Sequence, residues 1–175
     1  MKPSTGIRLF PHIGQRFSPL LLALLVSLET VPVMAQSSQQ KGLQRGAIAT
    51  TMQDLQQSDR RWIEIDLSRQ RLIAWKGGQP VYAVIVSTGK AASPTRTGVF
   101  TIQTRYRYAR MQGDDYDIAD VPYTMYYSGN YAIHGAYWHN RFGTPVSHGC
   151  VNVAVNHARW LFNWAAIGTP VVVHN

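Results

Sequence analysis

The 175-residue sequence predicts a mainly β domain, a β-sandwich or mixed sheet with one C-terminal helix packed on it. Three observations carry that prediction. Apolar and polar residues alternate at period two along Trp62-Ile63-Glu64-Ile65-Asp66-Leu67, the pattern of a half-buried strand. Short apolar runs then recur between turn residues such as Gly77-Gly78 and Ser128-Gly129-Asn130. Only near the C-terminus, in His157–Ala166, does the spacing change to that of an amphipathic helix. The length fits one domain, and no internal repeat is visible.

The chain opens with the pattern of an export signal over residues 1–35. Lys2, Arg8 and Arg16 form a basic start, Pro19 to Leu28 is an apolar run, and Val33-Met34-Ala35 fits cleavage before Gln36. That run is short for a bilayer span, so membrane contact is expected during export only, with an uncleaved signal anchor as the alternative. No cysteine directly follows it, which argues against a lipid anchor. The expected location is the periplasm or cell envelope. A formal charge of +8 suits an anionic envelope, and export argues against nucleic acid as the partner.

Residues 36–59 are rich in Gln and Ser and read as a flexible tether, with a short helix near Ile48 to Leu55. The folded domain, 60–175, begins with the Trp62–Leu67 strand. Gln70 to Lys76 follows, then the two-residue hairpin signal Gly77-Gly78. Pro80 to Ser87 is apolar enough for a central strand. A loop carries Pro94, and Thr97 to Ile102 opens a strand that runs on through Arg110. Arg105 and Arg107 share one face of it, read as solvated, with Tyr106 and Tyr108 on the other. Residues 113–120 carry four Asp and read as a solvated loop, or a lid; their spacing is not that of a calcium-binding loop. Tyr131-Ala132-Ile133 is a strand that delivers His134. Asn156 is the expected cap of the C-terminal helix, with Trp160, Leu161 and Trp164 toward the core and Gly168 at its end.

The chemistry concentrates between His134 and Asn152. This stretch holds the only cysteine and three of the six histidines. A thiol nucleophile needs a base within hydrogen-bond reach and donors for the oxyanion. Cys150 supplies the thiol, and either His134 or His148 is chemically able to be the base. Gly149 leaves the backbone before the thiol open to close approach. The backbone N–H of Cys150, with Gly149 and His148, is the expected oxyanion site. Ser147 is expected to brace the loop, and Asn152 to hold it or to bind substrate. Arg141 is a candidate partner for a substrate carboxylate.

The run Ser147-His148-Gly149-Cys150-Val151-Asn152, preceded by Ile133-His134-Gly135, resembles the L,D-transpeptidase catalytic domain family (YkuD-like). The resemblance extends from about Trp62 to His174, through Ser87-Thr88-Gly89 and Gly98-Val99-Phe100-Thr101-Ile102. It implies Cys150 as nucleophile and His134 as proton donor and acceptor, oriented by the Gly135 carbonyl. It implies peptidoglycan stem peptides as partners, touched by Tyr123, Met125 and Tyr127, with no cofactor and no metal. The implied reaction forms a thioester with release of a terminal D-Ala, then a cross-link to a second stem. Water or a lipoprotein amine as acceptor would make a carboxypeptidase or an anchoring enzyme. Carbapenems are the implied inhibitors. A monomer is expected.

Two other classes compete. His134, His139, His148 and Cys150 offer enough donors for Zn²⁺, though without His-Glu-x-x-His spacing or a nearby carboxylate base. A non-catalytic wall-binding module would keep the fold, but predicts a degraded His–Cys run, and this one is intact.

Overall fold

The computed structural model describes residues 33–175. The expected export signal falls outside them, except that Val33–Ala35 already belong to the first helix, α1 (Val33–Gln56). This helix is the first departure from expectation, for residues 36–56 are helical rather than a tether. Its cause is tertiary. Ile48, Met52 and Leu55 lie at helical spacing and pack on Trp62 and Val172. The half before Ile48 is exposed, and Leu43 has no apolar cover.

Nine strands follow. The first sheet has the order β3-β2-β1-β9-β4, built from β1 (Arg61–Asp66), β2 (Arg71–Lys76), β3 (Gln79–Ile85), β4 (Gly98–Thr101) and β9 (Pro170–His174). Lys76 pairs with Gln79, so Gly77-Gly78 forms the two-residue hairpin turn, with Gly77 at φ 54°. Expected as central, β3 is instead an edge strand. Its apolar Val81 and Ile85 are exposed, and Pro80 is tolerated there because an edge strand can lack a ladder donor.

The second sheet has the order β5-β6-β7-β8, from β5 (Thr104–Gly113), β6 (Tyr116–Ser128), β7 (Tyr131–Gly135) and β8 (Val151–Val153). The chain leaves the first sheet between Thr101 and Thr104, so the expected continuous strand is two strands in two sheets. The acidic stretch is the end of a long hairpin: only Asp114 and Asp115 form the turn, and Tyr116 onward is strand.

One core takes Ile63, Ile65, Leu72 and Val173 from the first sheet and Met125, Tyr127, Ile133 and Val151 from the second. Helix α2 (Val155–Trp164) adds Ala158 and Leu161, and Ala165 follows it. Ala154, not Asn156, occupies its N-cap, and no side chain caps it. Leu161 is buried as expected. Trp160 and Trp164 are only half-buried: Trp160 stacks on Tyr82 of the edge strand at 3.9 Å. Arg105 is likewise not simply solvated. It donates to the Phe162 carbonyl, and its guanidinium lies 4.2 Å from that ring centroid.

Candidate active site

Strands β7 and β8 are parallel neighbours, so the chain between them must travel back along the sheet. Residues 136–150 make that return: of the predicted pair, His134 stands near the end of β7 just before it, and Cys150 is its last residue. Register places His134 opposite Asn152. Cys150, two residues before Asn152, leaves the chain on the same face as His134 and Asn152. Both members of the pair line one cavity of about 230 Å³, with His139, Arg141, Ser147 and His148. Wider clefts of about 480 and 590 Å³ lie along α1, but neither contains the thiol. The donor set, not the size, marks the site.

The return loop is irregular but well braced. Ser87 exchanges backbone hydrogen bonds with Asn152 at 2.9 and 2.8 Å, and its hydroxyl donates to the Arg141 carbonyl at 2.7 Å. Val146 and Ser147 donate to the Thr88 carbonyl. Gln70 in turn holds Thr88, accepting from its N–H at 2.9 Å. The Ser147 hydroxyl donates to the Cys150 carbonyl at 2.5 Å and accepts from the Gly149 N–H at 3.1 Å. Gly149 therefore spends its N–H on the brace, which leaves the Cys150 N–H as the backbone donor beside the thiol. Gly149 sits at φ 118°, and a Cβ there would come within 2.8 Å of the Tyr131 ring. Only glycine fits both demands.

His134 is 2% exposed. Its Nδ1 lies 3.1 Å from the Gly135 carbonyl, which can only accept, so Nδ1 carries the proton and Nε2 keeps its lone pair. Burial depresses its pKa to about 4, and the Gly135 carbonyl opposes that only in part. Burial pushes the Cys150 thiol up to about 11, offset partly by a backbone bond from Ala132. The S–H donates to the Asn130 carbonyl at 3.4 Å. The resting pair is therefore a neutral thiol and a neutral imidazole, not an ion pair, because the site disfavours charge on both.

His148 lines the same cavity, but its Nε2 is engaged by other side chains. Its Nε2 lies 2.9 Å from Lys90 Nζ and 3.0 Å from an Asp115 carboxylate oxygen, and Tyr116 stacks on its ring. One nitrogen cannot accept from Lys90 and donate to Asp115 at once, so its tautomer selects the partner. The bond to His148 holds Asp115 below the usual carboxylate range. His139 is fixed more firmly. The Arg141 N–H donates to its Nδ1 at 3.2 Å, so Nε2 carries the proton. The Asn152 amide nitrogen is placed 2.8 Å from Nε2, and with a proton on Nε2 that amide is turned so that its oxygen accepts.

Not every predicted residue reaches the cavity. Met125 and Tyr127 are fully buried in the core, and Tyr123 lies between Arg107 and Phe162. The substrate contacts expected of these three are thus replaced by core packing. Met111, Tyr116 and Ile118 of the β5–β6 hairpin line the cavity instead, with Trp138 and Val146. No local signal identified the hairpin residues, because their place depends on its register. The aromatic Tyr137-Trp138 within the His134–Asn152 run was the available clue to Trp138. Among the described residues no three His, Cys, Asp or Glu side chains converge to hold a metal ion, so the zinc set proposed from the sequence is not assembled.

Comparisons with known proteins agree with this geometry. L,D-transpeptidase 2 of Mycobacterium tuberculosis is 30% identical over 111 residues, covering 56% of this chain and 27% of that protein. L,D-transpeptidase 1 of the same species is 28% identical over 111 residues, 56% of this chain and 44% of its own. The chain thus spans less than half the length of these curated relatives. A mutant L,D-transpeptidase of Enterococcus faecium superposes with a TM-score of 0.63 at 28% identity, covering 67% of this chain and 50% of that one. LdtMt1 in complex with imipenem superposes at 0.62 and 25% identity, over 66% and 59%. The family model for the L,D-transpeptidase catalytic domain, YkuD, matches residues 60–173. This chain belongs to the L,D-transpeptidase catalytic domain family.

Proposed function

We propose that this protein is an exported cysteine L,D-transpeptidase acting on peptidoglycan stem peptides. The observation that carries the reading is the pairing of Cys150 with a buried His134 across one cavity, with the Nε2 lone pair left free. Cys150 attacks the carbonyl between the third residue of a stem and its terminal D-Ala. The Sγ proton passes to His134 Nε2 as the S–C bond forms. The oxyanion is held by the Cys150 N–H. His134 then gives the proton to the leaving nitrogen, the C–N bond breaks, D-Ala departs and a thioester remains. An amine of a second stem attacks that thioester, returns a proton through His134 to sulfur and completes the cross-link.

His134 suits the base role better than His148 does, since His148 Nε2 is already committed to Lys90 or Asp115. Arg141 is the cation lining the cavity and is placed to meet a substrate carboxylate. Export and an envelope location follow from the N-terminal pattern read above.

Intact-protein mass spectrometry with a carbapenem tests the proposal. One adduct per chain is expected, absent in Cys150→Ala and formed more slowly in His134→Ala. Folded wild-type protein that forms no adduct would refute the reading.

A further inference from the structure

The imidazole of His134 is buried, and one exposed aromatic residue of the cavity lining lies against its ring. That residue is Trp138, four positions later on the return loop. Its indole lies on the His134 ring with centroids 5.7 Å apart and planes 27° from parallel. Trp138 itself is 37% exposed, so it covers His134 while its other side meets water. The cover is fixed in place. Tyr137 packs edge-on against the indole at 5.0 Å, and its hydroxyl donates to the Ala119 carbonyl at 2.8 Å, tying the loop to β6. His139 closes the other side at 6.2 Å.

We propose that Trp138 is a positioning residue for the transfer step: its indole keeps water off His134 and so keeps the imidazole an unprotonated acceptor for the Cys150 proton. The inference rests on His134 being that acceptor. A buried ring next to water gains a proton easily once it is hydrated, because hydration is what stabilises the cation. The groups that face this cavity are His139, Arg141, His148, Cys150 and Tyr116. Among the described residues no carboxylate lines it to compensate a charged His134. The neighbouring His139 opposes that charge as well. The roof therefore does more than fill space, since it sets the pH range over which His134 is ready.

The test is an NMR titration of the six histidine rings in the full chain, with His134 identified by its loss in His134→Gln. Wild-type His134 is expected to remain neutral down to a midpoint of about 4. In Trp138→Ala the midpoint rises to between about 5 and 6.5, toward the value of a hydrated imidazole. The ring of His174, held by Glu64 away from the cavity, keeps its midpoint. Carbapenem adduct formation by the variant also gains an acid limb that wild type lacks. An unchanged His134 midpoint in folded Trp138→Ala overturns the proposal. If that variant does not fold, Trp138→Gln, which fills the space with a wettable group, carries the same expectation and the same refutation. The titration needs no substrate. A wild-type protein without a carbapenem adduct therefore refutes the transpeptidase reading while the role of Trp138 over His134 is still decided by the midpoint.

Discussion

Ionisation of Cys150 is the sharpest test of the neutral resting pair. A free cysteine ionises near about 8.5. Enclosure in the sheet and loop pushes this one up to about 11. The difference corresponds to about 3 kcal/mol against the thiolate. At neutral pH only about one molecule in ten thousand would carry it, against a few per cent of a free thiol. Because Cys150 is the sole cysteine, thiolate absorbance and iodoacetamide alkylation both report this one group, with Cys150→Ala as the blank. The alkylation rate is expected to rise about tenfold for each pH unit from about 7 to about 10, without a plateau. His134→Ala should leave that curve in place, since the imidazole does not hold the proton at rest. The same variant should slow carbapenem acylation by about two to four orders of magnitude, because proton transfer matters in the transition state. A thiolate signal at or below neutral pH, lost in His134→Ala, would mean that an ion pair exists at rest and that burial does not govern the site.

Other consequences are equally measurable. Gly149→Ala combines a φ of 118° with a Cβ 2.8 Å from Tyr131, so a loss of about 1–3 kcal/mol is expected in denaturant midpoints, together with loss of adduct formation. Ser147→Ala removes two hydrogen bonds that hold the Cys150 carbonyl and the Gly149 N–H, and should cost about 1–3 kcal/mol and slow acylation. His134 binds a proton less readily folded than unfolded, so the stability linked to it is complete above about pH 6.5 and falls by about 3 kcal/mol as pH drops to about 4. Comparing the acid limb of thermal unfolding with that of His134→Gln checks the sign and size. Chelation by EDTA should leave carbapenem acylation unchanged, and a loss restored by Zn²⁺ would return the metal reading to contention.

The features legible in the sequence are those set by neighbours in the chain. The Gly77-Gly78 hairpin is such a case, because two adjacent residues able to take positive φ define the turn by themselves. Strand β7 and the Leu161 face of α2 were legible from periodicity. What escaped depends on distant partners. The 36–56 helix carries only a thin apolar stripe, and its docking on Trp62 and Val172 is invisible locally. β3 looks central because Val81, Ala83 and Ile85 are apolar, yet its position in the sheet leaves that side open. At the site, residue types nominated Cys150 and left His134 and His148 both open as its base, and the family resemblance selected His134. Tyr127 and Met125 were misjudged because an aromatic or methionine on a strand serves a core as readily as a groove, and only register tells which. Met111, Tyr116 and Ile118 were overlooked because a hairpin arm folds over the cavity from outside the run that holds the nucleophile.

The Ser87–Asn152 bridge has a consequence for the order in which the molecule assembles. It ties the exit of β3 to the start of β8, and Thr95 makes a parallel tie to the Gly149 carbonyl at 2.8 Å. These partners are more than fifty residues apart in the chain, so their closure waits until both sheets exist. The thiol acquires its surroundings only in that last step. A partly folded chain is then expected to carry an ordinary, exposed cysteine that carbapenems do not acylate. Acylation competence therefore doubles as a chemical clock for the completion of folding, and in refolding it should lag behind the recovery of strand signal.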